Sequence, residues 1–111
     1  MVEPGNYPNV IEKILREYSK FQTNYDEFEV QTVVDRDNQH YEINILGWDG
    51  YKRIYGRVLH LDIKNGKIWI QHDGTKSGVA DDLLEMGVPK SDIVLAFHAP
   101  YKRKYTGFAE G

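Results

Sequence analysis

The chain has 111 residues, no cysteine, and 14 basic against 17 acidic side chains, for a formal net charge of −3. That length admits one domain with one core, and the missing thiols exclude disulfides and thiolate chemistry. The mild acidity lacks the basic excess with which free-standing DNA-binding domains neutralise phosphates.

The first predicted element is a helix over Pro8 to Lys20. Proline suits a first turn, and Val10, Ile11, Ile14, Leu15 and Tyr18 recur at helical spacing with Glu12, Lys13, Arg16 and Glu17 opposite them. The polar stretch Gln22 to Asp26 ends it. Phe28, Val30, Thr32 and Val34 then alternate with polar residues, which predicts a half-buried strand. A polar loop, Asp35 to Gln39, leads to a second strand from His40 to Trp48 with Tyr41, Ile43 and Ile45 on one face. Asp49-Gly50 predicts a two-residue hairpin turn, Lys52 to Lys64 a third strand, Asn65-Gly66 a second such turn, and Lys67 to His72 a fourth strand.

The third strand changes phase. Pairing back across Asp49-Gly50 places Ile54, Gly56 and Val58 with Tyr41, Ile43 and Ile45, whereas pairing forward across Asn65-Gly66 places Leu59, Leu61 and Ile63 with Ile68 and Ile70. A β-bulge at Gly56 restores a single core face. The alternative is a strand covered on both faces, by helices on one side and a second subunit on the other. After the sheet, Thr75 or Ser77 can cap a second helix with Asp81 and Asp82 in an early turn, and Gly87 stops it. Ile93 to Phe97 is a short apolar run suited to a buried final strand, and His98 to Gly111 forms an aperiodic tail rich in aromatics. The expected architecture is a single α+β domain over 1–111, two-layered, with a mainly antiparallel sheet of four to five strands and its helices on one face.

Chemistry-bearing residues concentrate on the second hairpin. Its turn register sets His60 opposite Gln71 and Asp62 opposite Trp69, all on one face. A histidine with a carboxylate two residues along is a fragment of a general base or a metal site. The simpler reading is a polar sheet face, or an interface patch anchored by Trp69. Neither a nucleophile nor a second carboxylate at a fixed offset accompanies the pair, so no catalytic residue is assigned and no enzyme is expected. The histidines at 40, 60, 72 and 98 form no helical pair and have no cysteine company. A spatial site from His60, Asp62 and His98 is the arrangement considered; no metal or cofactor is expected. Asp73 to Gly78 precedes a helix but lacks P-loop spacing, and a plain strand-to-helix turn accounts for it. In the tail, Lys102, Arg103 and Lys104 between Tyr101 and Tyr105 are the candidate nucleic-acid contacts. Packing of Phe97, Tyr101, Tyr105 and Phe108 across an interface is the preferred reading. The candidate interaction surface is therefore His60, Asp62, Trp69, Gln71, Tyr101, Arg103, Tyr105 and Phe108.

The block from Tyr55 to Thr75 (YGRVLHLDIKNGKIWIQHDGT) resembles the signature of the XisI family, the fdxN-element excision controlling factors of cyanobacteria. So do Gly87 to Leu95 (GVPKSDIVL), Phe97-His98, Arg103 and Tyr105 to Ala109. The resemblance runs from the first helix through the tail. It implies an accessory role in the excision of a DNA element during heterocyst differentiation, beside a nuclease-like partner, XisH, while a separate recombinase exchanges strands. It brings no catalytic residues with it. The expectation is a regulatory protein that binds an XisH-like partner and self-associates as a homo-oligomer, meeting nucleic acid indirectly. The opening Met1-Val2-Glu3-Pro4-Gly5 does not read as a signal peptide, and no apolar run approaches a membrane span, so a cytoplasmic location without membrane contact is expected.

Overall fold

The structure, a computed structural model, describes residues 2–22, 28–75 and 78–111, with the backbone alone at 21 and 22. The expected polar break after the first helix and the Ser77 cap lie outside the described residues at 23–27 and 77. A 3₁₀ turn, Pro4–Asn6, opens into helix α1, Tyr7–Gln22. Strands β1 (Phe28–Asp35), β2 (His40–Asp49), β3 (Lys52–Lys64) and β4 (Lys67–Asp73) follow as a meander. Helix α2 (Val79–Glu85), a 3₁₀ turn (Lys90–Asp92), β5 (Ile93–Leu95) and the short helix α3 (Pro100–Arg103) complete the chain. The sheet order is β1-β2-β3-β4-β5. The first three pairings are antiparallel and β5 runs parallel to β4. Parallel strands need a crossover, and α2 supplies it. The fold is α+β, as expected.

One core lies between the helices and one face of the sheet. Tyr7, Val10, Ile11, Ile14 and Leu15 of α1 meet Tyr41, Ile43, Leu59, Leu61, Ile68 and Ile70, with Val79, Leu83, Val88 and Ile93 closing the end. The buried Tyr7 hydroxyl donates to Asp92 Oδ2 at 2.5 Å. Burial first, then that hydrogen bond and the charge of Asp92, push the Tyr7 pKa up to about 12. Ser19 Oγ and Thr32 Oγ1 lie 2.7 Å apart, joining α1 to β1. No helix among the described residues is long and apolar enough to cross a membrane.

The turns refine the sequence reading. Asn65 and Gly66 both have positive φ, 53° and 74°, as a type I′ turn requires. In the other hairpin Asp49 pairs with Lys52, so the turn residues are Gly50-Tyr51 and not Asp49-Gly50. Positive φ falls on Gly50 alone, the position where a type II′ turn wants glycine. The bulge in β3 exists, but at Val58 instead of Gly56: Ile43 pairs with Leu59 and Asn44 with Arg57, leaving Val58 unopposed. It brings Ile54 and Leu59 to the same side of the sheet, so the two-faced alternative is not needed. The carbonyl of Val58 accepts the Gly74 N–H at 2.7 Å. A second bulge falls at Gln71, because Leu61 pairs with Ile70 but His60 with His72. The expected His60–Gln71 pairing is corrected by that extra residue, and Asp62 does pair with Trp69.

The cap of α2 is also corrected. Thr75 makes no bond to the helix itself; its hydroxyl accepts the Gly78 N–H at 3.2 Å. The first helical N–H, that of Val79, is taken by Asp73 Oδ2 at 2.8 Å, a carboxylate at the positive end of the helix. The far end closes as expected at Gly87, whose φ is +95°. Its N–H donates to Leu84 at 3.1 Å, and the Val88 N–H to Leu83 at 3.0 Å, the pair of bonds of a Schellman motif.

Candidate functional site

The sheet face turned away from α1 and α2 carries the side chains that the core does not use. From β2 these include His40, Glu42 and Trp48; from β3, Arg53, Tyr55, Arg57, His60 and Asp62; from β4, Trp69. Directly opposed residues of an antiparallel pair point the same way, so this set follows from the register.

On this face sits Asp62, 5% exposed and the only charged residue that is buried among the described ones. His40 is its direct cross-strand partner, and His60 lies two residues along β3. Asp62 Oδ1 receives a hydrogen bond from His40 Nδ1 and lies 3.1 Å from His60 Nε2. Gln71 Nε2 donates to Oδ2 at 3.2 Å. The two bulges bracket His60, one on its own strand and one on the neighbour, and bulges characteristically re-aim side chains in this way. Burial pushes the Asp62 carboxyl up, but hydrogen bonds from His40 and His60 and their charges outweigh it, leaving it below the usual carboxylate range. The hydrogen bond to Asp62, and then its charge, raise the His40 imidazole above its ordinary value. Beside them Arg57 Nη2 pairs with Glu42 Oε1 at 3.0 Å. The donor atoms of His40, His60 and Asp62 lie within 4.8 Å of one another, close enough to hold one metal ion. The third member of this cluster is thus His40 and not His98, whose ring meets that of Phe97 at a tilt beyond β5 with centroids 4.6 Å apart.

A second group lies at the hairpin end of the same face. Arg53 stands 5.3 Å from the Trp48 ring and 5.9 Å from that of Tyr55. Trp48 is 53% exposed, Tyr55 77%, and Tyr51 in the turn is fully exposed. Sequence reading passed over these residues. Their signal was available in the alternation of β2 and β3, where aromatics and arginine occupy the positions out of phase with the core.

The remaining candidates fall at the opposite end. Trp69 is half-buried beneath its own tail. Arg103 lies 5.5 Å over its ring, Lys64 5.3 Å, and Trp69 Nε1 donates to the Lys64 carbonyl at 3.3 Å. The Arg103 guanidinium also donates to the carbonyls of His98 at 3.0 Å and Ala96 at 3.2 Å. Phe108 packs against the core, and the Ala109 N–H bonds the Ile93 carbonyl at 2.8 Å. The tail therefore docks on its own domain at these points. Phe97, Tyr101 and Tyr105 stay exposed, with Lys102 and Lys104 lying over Tyr101 and Tyr105 at 5.8 and 5.2 Å. Arg103→Ala removes charged hydrogen bonds to two carbonyls and is expected to destabilise by about 1–3 kcal/mol. In a Trp48→Phe background it should also redden and expose Trp69 fluorescence; unchanged emission would contradict the docking.

These features define a two-layer α+β domain with α1 and α2 on one sheet face and a polar, aromatic surface on the other. A family profile described as XisI protein matches residues 1–110, and the chain belongs to the XisI family. The fold is similar to the crystal structure of a XisI-like protein from Anabaena variabilis ATCC 29413, with 41% identity over 96% of this chain and 98% of that one and a TM-score of 0.90. It is also similar to the fdxN element excision controlling factor XisI from the same organism, with 35% identity over 97% and 98% of the chains and a TM-score of 0.84. A comparison with curated proteins gives no match.

Proposed function

We propose that this protein is an accessory factor in the control of DNA-element excision and acts by binding a nuclease-like protein of the XisH kind. Similarity to an excision controlling factor supports the first half of that reading. The observation that carries the second is the hairpin end of the sheet face turned away from α1 and α2, where Trp48, Arg53 and Tyr55 form an exposed aromatic–arginine cluster. Tryptophan, tyrosine and arginine are the residues on which protein interfaces concentrate their affinity. Trp69 and Arg103 satisfy one another within the chain and serve this surface less well.

The test is co-expression with the XisH-like protein of the same genome, followed by size exclusion with light scattering. Co-elution is expected, lost in Trp48→Ala/Tyr55→Ala through a weakening of about thirtyfold or more, and retained in Tyr101→Ala/Tyr105→Ala. Separate elution at micromolar concentration overturns the partner reading. The same instrument reads the isolated chain, for which exposed Phe97, Tyr101 and Tyr105 support self-association; a monomer refutes that part.

A further inference from the structure

We propose that His40, His60 and Asp62 form a binding site for one divalent transition metal ion of the zinc class. The inference is independent of the partner reading and concerns a different part of the same face. The three side chains come from two adjacent strands: His40 faces Asp62 directly across the β2–β3 ladder, and His60 stands two residues from Asp62 on the same side. One ligand atom from each of the three side chains lies within 4.8 Å of the other two.

One of the three ligand spacings already matches a tetrahedral site. Bonds of 2.0–2.1 Å to nitrogen and oxygen place neighbouring ligand atoms about 3.3 Å apart. The His60 Nε2 to Asp62 Oδ1 distance is already 3.1 Å. His40 contacts Oδ1 more closely, but its side chain is 51% exposed at the start of β2, so a small rotation of the ring opens the same spacing. Gln71 holds the other carboxylate oxygen at 3.2 Å and keeps Oδ1 turned toward the imidazoles, as outer groups do for metal ligands.

The charges favour the same occupant. Asp62 is buried, and its ion pairs among the described residues are with histidines alone. A buried carboxylate without a permanent cation partner is costly unless a proton or an ion compensates it. The nearby Arg57 pairs with Glu42 at 3.0 Å while also lying 3.5 Å from His60 Nδ1, and Glu42 Oε1, 3.9 Å from His60 Nε2, adds a negative group at the rim. Two imidazole nitrogens and one carboxylate oxygen suit zinc, cobalt, nickel or iron, while calcium and magnesium prefer all-oxygen shells. Three protein ligands leave a further coordination position on the solvent side for water.

The experiment uses untagged, chelator-treated protein titrated with Zn²⁺ and, separately, with Co²⁺ near neutral pH. One equivalent per chain is expected, with visible Co²⁺ bands of a four-coordinate nitrogen–oxygen site and a raised melting temperature with Zn²⁺. His60→Ala and the isosteric Asp62→Asn should each weaken binding by at least about tenfold, whereas His72→Ala and His98→Ala should leave it unchanged. His40→Ala, at a half-exposed position, provides a ligand variant with little risk to folding. No uptake by the wild-type protein, uptake that survives the loss of His40, or equal losses in the His72 and His98 variants overturns the proposal.

Discussion

Leu61→Ala is expected to destabilise the protein by about 2–5 kcal/mol, read as a lower urea midpoint with an unchanged slope. Leu61 is fully buried in the strand that joins the two halves of the sheet. It is flanked by Tyr41 on β2 and Ile70 on β4, both fully buried. Neighbours held from both sides by backbone ladders have little freedom to collapse into a cavity, which places the loss toward the upper part of that range. A domain of this size has about 5–15 kcal/mol in all, so one truncation removes a large share of it. A midpoint within experimental error of wild type would show that the core is not packed as described.

Asp62→Ala, measured in chelator so that no bound ion contributes, is expected to cost about 1–3 kcal/mol. The carboxylate accepts from His40, His60 and Gln71, and its removal leaves these donors without it inside the sheet face. The loss is tempered because His40 is half-exposed and can turn to water. Asp62→Asn retains an oxygen acceptor and should lose less. Equal stability of the wild type and Asp62→Ala would mean that this buried carboxylate contributes nothing net to the metal-free fold.

Much of the architecture was legible in the sequence because hydrophobic period and turn chemistry act locally. Asn65-Gly66 fixed the β3–β4 turn, and Val10, Ile11, Ile14 and Leu15 marked the buried face of α1. The phase break in β3 announced a bulge, although Leu59 and not Gly56 marks where the alternation resumes. The Gln71 bulge was silent, since Ile68 and Ile70 keep their period up to it and only unburied residues follow. His40 was missed for a related reason. It reaches Asp62 only once the turn moves to Gly50-Tyr51 and Val58 is skipped, and an unbulged register across Asp49-Gly50 aims it at Leu59 instead. The pairing of Trp69 with Arg103 was beyond reach, because no local pattern says that the tail returns over β4.

The strand order bears on kinetics as well. Every antiparallel pairing in the sheet joins consecutive strands, so most of it can zip through short loop closures without waiting for distant partners. The parallel β4–β5 contact and the Ala109 bridge beside it require the α2 crossover and the tail, and are expected to form on the late side of the folding barrier. Substitutions in the β2–β3 hairpin are therefore expected to act chiefly on the folding rate, and substitutions in the tail on the unfolding rate, as a chevron of each would read.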